Sequence, residues 1–158
     1  MTTDAGTEST TDRIERSIEI QAPRPRVWRA LADAEQFGAW FGVSFDGAFA
    51  PGARLTGRLT DPDWAHLSFA IVVERVEPEH LFTYRWHPYA LDPDVDYEQE
   101  PMTLVAFHLE EMNGGTRLTV VESGFDSIPP ERRAIAFPMN DQGWAEQVRR
   151  IAAYVSGP

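Results

Sequence analysis

Hydrophobic and polar positions change period twice along the chain. Ile14, Arg16, Ile18 and Ile20 alternate with Glu15, Ser17, Glu19 and Gln21. Three isoleucines on one parity predict a half-buried strand. Pro23 and Pro25 end it and suit the first turn of a helix. Val27, Ala30, Leu31 and Ala34 then recur at helical spacing, and Phe37, Trp40 and Phe41 mark a second short helix over 35–41. From 43 to 124 the period falls to two. The apolar parity is held by Leu55, Gly57 and Leu59, by Leu67, Phe69, Ile71 and Val73, and by Phe82, Tyr84 and Trp86. It continues with Val105, Phe107 and Leu109, then Leu118 and Val120. Breakers at 61–63, 77–79 and 113–115 separate these runs. The last is a hairpin signal, because its glycines accept positive φ.

Helical spacing returns at the end. Asp126 or Ser127 can cap a segment that has Pro129 and Pro130 in its first turn and runs to Phe137. Pro138 should break or kink it. Asn140 or Asp141 can cap a final helix with the stripe Trp144, Val148, Ile151 and Val155, stopped by Gly157 and Pro158. The order predicts an α+β domain over 13–158. A curved antiparallel sheet of six to seven strands wraps round a long C-terminal helix, with two short helices after the first strand. Residues 1–12 have no apolar side chain larger than Met1 and read as a disordered tail.

Composition narrows the chemistry. The 158 residues carry 25 acids and 14 bases, a net charge of −11, and every base is arginine. No cysteine means no disulfide, thiolate metal site or cysteine nucleophile, and no lysine means no Schiff base. The acidic balance argues against nucleic-acid binding. No apolar run is long enough to span a membrane, and the polar start lacks the pattern of a secretory signal, so a cytoplasmic protein is expected. Gly-x-Ser-x-Gly and Gly-x-Gly-x-x-Gly are both missing, so no nucleotide cofactor is expected.

Phe37, Trp40, Phe41, Phe69, Tyr84, Trp86, Phe107 and Trp144, with Ile71, Val148 and Ile151, are either core or the walls of an apolar pocket. Glu122 shares the parity of Leu118 and Val120 and should point to the apolar side. A carboxylate there must be paired, hydrogen-bonded or protonated, which suits a general base, a ligand anchor or a structural pair. His66, His80, His87 and His108 form no metal motif, and three of them fall on predicted strands at polar positions. Asp92, Asp94 and Asp96 mimic the start of a calcium loop. Tyr97 and Thr103 stand where the loop needs Gly and Glu, so no metal is expected. The connection 88–101 is long and acidic, and it is a candidate lid.

Several motifs together resemble one superfamily. They are the hexapeptide Ile18 to Pro23, Val27-Trp28 with Ala30-Leu31, Trp40-Phe41-Gly42, and Val76 to Pro78 leading to Leu81 through Trp86. The strongest is Gly115 through Phe125, followed by Met139-Asn140 and Gly143-Trp144. Over residues 14–156 the chain resembles the START-like or SRPBCC helix-grip proteins. Within them it resembles the bacterial AHSA-type branch, named after the activator of heat-shock-protein-90 ATPase. That resemblance implies a helix-grip fold with an internal cavity between sheet and C-terminal helix. It implies no catalytic set. Residues 1–13 do not match the separate N-terminal domain of the eukaryotic co-chaperone, so no co-chaperone function follows.

Three readings result. The first is a domain that binds a small apolar or aromatic molecule, with Glu122 or Arg54 as polar anchor. The second is a cyclase- or hydratase-like enzyme using Glu122 as general base. The third is a chaperone-associated or dimerising module, such as a homodimer. Acids at the pocket mouth would favour neutral or cationic ligands.

Overall fold

The alternation at the start of the chain becomes strand β1 (Arg13–Ile20), and its partner is the last strand in sequence, β7 (Gly115–Ser123). In this computed structural model the residues described are 12–90, 92 and 94–156. The tail expected over 1–12 lies outside them except for Asp12, and so do Gly157 and Pro158. Asp12 is tied to the fold: its carbonyl and carboxylate accept the N–H groups of Phe125 and Asp126.

Two short helices follow β1, namely α1 (Arg24–Ala32) and α2 (Ala34–Phe41). Proline in its first turn starts α1. The Asp33 carboxylate caps α2 by accepting the Glu35 N–H at 3.0 Å. Gly42, at φ 93°, ends α2 in the left-handed conformation that glycine tolerates. The chain then forms β2 (Val43–Phe45), β3 (Arg54–Leu59), β4 (Ser68–Glu77), β5 (Leu81–Trp86) and β6 (Thr103–Met112) before β7. All seven strands make one curved antiparallel sheet in the order β1-β7-β6-β5-β4-β3-β2. β2 has only three residues. A bulge at Glu74 in β4 shifts the register between Val73 and Arg75 and keeps Val76 on the inner face opposite Phe82.

The inner face holds the core, with Leu55, Ile71, Val73, Phe82, Phe107, Leu118 and Val120 all buried. Phe37 of α2 drops into its middle. Phe82, Tyr84 and Phe107 present themselves edge-on to it at 6.0–6.3 Å. Each such ring contributes about 1.5–3 kcal/mol through burial. Aromatic side chains thus pack the interior between α2 and the sheet.

The C-terminal segment departs from expectation. It is one helix, α3 (Pro130–Ser156), running through Pro138. The reason is where the proline falls. Pro138 and Ala134 are both exposed, so the carbonyl deprived of its donor can be hydrated. Buried Ala136 on one side and Trp144, Val148, Ile151 and Val155 on the other hold both halves to the core. Asn140 and Asp141 therefore cap nothing. Asp126 and Ser127 belong to a 3-10 turn ahead of the helix. Among the described residues, no helix is long and apolar enough to cross a membrane.

Candidate functional site

Glu122 lies on β7 opposite Val105 and Ile14 and is fully buried. Its parity aims it inward, and the surrounding elements supply donors. Oε1 accepts Trp144 Nε1 at 2.8 Å and Asn140 Nδ2 at 3.0 Å, both from α3. Oε2 accepts Trp86 Nε1 of β5 at 2.8 Å and Thr103 Oγ1 of β6 at 2.6 Å. Indole and amide nitrogens can only donate, so this shell suits the ionised carboxylate. Every partner is uncharged. Among the described residues, no arginine or histidine makes an ion pair with Glu122. A negative charge is thus held inside by dipoles alone.

Tyr84 feels that charge. Its ring is 1% exposed, and its hydroxyl has no hydrogen-bond partner. Burial, with a second contribution from Glu122, pushes the phenol well above its usual 10.0.

A pocket of about 100 Å³ opens beside Glu122 between the end of α2, the end of β5 and the middle of α3. Phe41, Trp86, Asn140, Gly143, Trp144 and Gln147 line it. Gln147 donates through Nε2 to the Phe41 carbonyl at 3.3 Å, while its Oε1 is buried with no partner. A Cβ added at Gly143 would meet nothing within 4 Å, so the pocket is open at that point of α3.

The sequence candidates therefore separate. Phe41, Trp86 and Trp144 meet at the pocket, with Glu122 behind two of them. Phe37, Trp40, Ile71, Tyr84, Phe107, Val148 and Ile151 are buried in the core, and Trp40 Nε1 donates to the Ala30 carbonyl at 2.8 Å. Phe69 is half-buried and lines a different cavity. Arg54 does not anchor the pocket. It sits on the parity opposite Leu55, is exposed, and bonds Glu98 at 3.1 Å. Thr103 and Asn140 are the members of the Glu122 shell that sequence reasoning missed. Thr103 shares the parity of Val105 and Phe107. Asn140 stands one helical turn before Trp144, a signal visible only if α3 is read as unbroken.

None of the described residues of the 88–101 connection lines this pocket. The connection forms another cavity of about 280 Å³ with Thr56, Ser68 and His87. Arg132 latches it: Nε donates to both oxygens of Glu100 at 3.0 and 3.1 Å, and Nη2 to the Pro88 carbonyl at 2.8 Å. Its guanidinium also lies 4.7 Å from the centre of the Tyr97 ring. The Asp92 and Asp96 carboxylates accept backbone N–H groups of Asp94 and Glu98. Only His108 of the four histidines lies within a strand, and it is exposed; His66 and His87 fall just outside β4 and β5. Among the described residues, no three acidic or histidine side chains converge as a metal site.

Residues 21–156 match the family described as Activator of Hsp90 ATPase homolog 1-like protein. Solved structures share the fold. DynU16, from the dynemicin biosynthetic locus, is 26% identical with a TM-score of 0.71, over 92% of this chain and 47% of that one. The chain thus spans about half the length of DynU16. Protein MLL2253 from Mesorhizobium loti is 24% identical (TM-score 0.72), over 91% of this chain and 96% of that one. The Aha1 dimer from Colwellia psychrerythraea is 15% identical (TM-score 0.68), over 90% and 95%. No curated protein matches the chain.

Proposed function

We infer, from the premise that the chain belongs to the Activator of Hsp90 ATPase homolog 1-like family, that it is a ligand-binding domain for a small molecule with an apolar or aromatic surface. The observation that carries this is the pocket where Phe41, Trp86 and Trp144 meet beside the buried Glu122. Such sites combine apolar walls with few fixed polar groups, and Asn140 and Gln147 supply the latter here. The volume is below the ~300 Å³ usual for drug-sized ligands, so the occupant is small or only one end of it enters. Glu122 acts as a positioning residue for both indoles. No general-base role is assigned to it, because protein donors already occupy both oxygens.

The test uses Gly143. A Gly143→Leu side chain meets no neighbour at Cβ, improves helix propensity and grows into the pocket. A library of small apolar and aromatic compounds is screened by thermal shift and tryptophan fluorescence. At least one compound should raise the melting temperature of the parent chain and not that of Gly143→Leu. No binding, or binding that ignores Gly143→Leu, overturns the reading.

A further inference from the structure

Phe41, Trp86 and Trp144 stand 5.9–6.1 Å apart, centre to centre. The two indoles are tilted by 30° to each other, and the phenyl ring stands at 60° to both. They form a three-walled aromatic corner. Both indoles donate their N–H to the same carboxylate, on the side away from solvent. That anion has no cationic partner among the described residues, and its donors are all neutral. An N–H bonded to an anion returns electron density to its ring, which makes the π face more negative. Gln147 adds a buried carbonyl oxygen without a donor. The pocket lining thus has two ring faces backed by a negative charge, one more aromatic wall and, among the described residues, no arginine.

We propose that this pocket takes a small organic cation, a methylated ammonium group seated on Trp86, Trp144 and Phe41, with Glu122 balancing its charge through the indoles. The proposal rests on the pocket reading above and names its ligand class. Size agrees: about 100 Å³ holds roughly three water volumes, close to a quaternary ammonium head. Electrostatics agree too, because a cation gains from an unbalanced buried carboxylate at short range while an anion loses. The preference comes from Glu122 and the rings; no described residue of the acidic 92–100 loop lines the pocket.

The deciding measurement is titration calorimetry of the full chain with choline and with 3,3-dimethylbutan-1-ol, which has the same shape without the charge. Choline should bind about tenfold more tightly, the scale of a desolvated cation–π contact. Phe41→Leu removes a wall without touching the Glu122 shell. It should weaken choline about fivefold while changing the alcohol less than twofold. Gly143→Leu should abolish both. Equal affinities, or an alcohol or library compound binding where choline does not, overturn the cation proposal and leave the pocket reading standing. Choline binding undiminished in Gly143→Leu overturns it as well. Failure of every compound removes the pocket reading along with it.

Discussion

Replacing Tyr84 by phenylalanine isolates a single oxygen atom. The hydroxyl is buried, has no partner and faces the field of Glu122. A buried hydroxyl left unsatisfied costs about 1–3 kcal/mol, while its packing contacts return a fraction of that. Tyr84→Phe should therefore be more stable at neutral pH by about 1 kcal/mol, or about 2–4 °C in Tm for a chain of this size. Alkali supplies a second reading. The folded phenol titrates well above 10.0, the unfolded one near it. Between those values the unfolded chain has released a proton that the folded chain keeps. Stability is full below about pH 10 and falls as pH rises, by up to about 1.4 kcal/mol per unit for one proton. The variant lacks that proton, so its advantage should widen by about 1 kcal/mol near pH 11. Urea melts of both chains at pH 7.5 and pH 11 measure this. A variant less stable than its parent, or two curves that stay parallel into alkali, would refute the reasoning.

Other perturbations address the carboxylate and the latch. Glu122→Leu strips Trp86, Thr103, Asn140 and Trp144 of their common acceptor and should cost about 3–5 kcal/mol in urea melts. A loss under about 1 kcal/mol would mean the shell is dispensable. Arg132→Ala releases Glu100, the Pro88 carbonyl and the Tyr97 ring at once. It should speed proteolytic cleavage within 88–101 and lower stability by only about 1–2 kcal/mol. Unchanged cleavage would show that the connection is held by something else.

Much of this fold was legible because strands and helices bury one face each. Parity alone put Glu122 with Leu118 and Val120, and helical spacing grouped Trp144 with Val148 and Ile151. The departures have local causes. The bulge at Glu74 and the three-residue β2 follow from pairing partners that no window of sequence displays. Pro138 suggested a stop because propensity ignores which side of a helix meets water. Asn140 and Trp144 share a face only on an unbroken helix, so a stop at Pro138 conceals their pairing. Arg54 lies outside the pocket because the parity of its own strand turns it to the exposed face. Which aromatics would be wall and which core depended on how α2 and α3 fill the sheet's concavity, a three-dimensional outcome.

The pairing of β1 with β7 also bears on the order of events in folding. Arg13 faces Ser123 and Ile20 faces Thr116, residues roughly a hundred positions apart along the chain. During synthesis β1 finds this neighbour only after β2 to β6 have emerged. Until then β1 is a strand with one apolar face and both edges open, available to any other chain that passes. Closing so long a loop late makes the final docking slow compared with the hairpin of β6 and β7, whose ends meet within a few residues. The alternating arginine and glutamate residues of β1 are well suited to that interval, since charged side chains discourage strands from pairing with strangers.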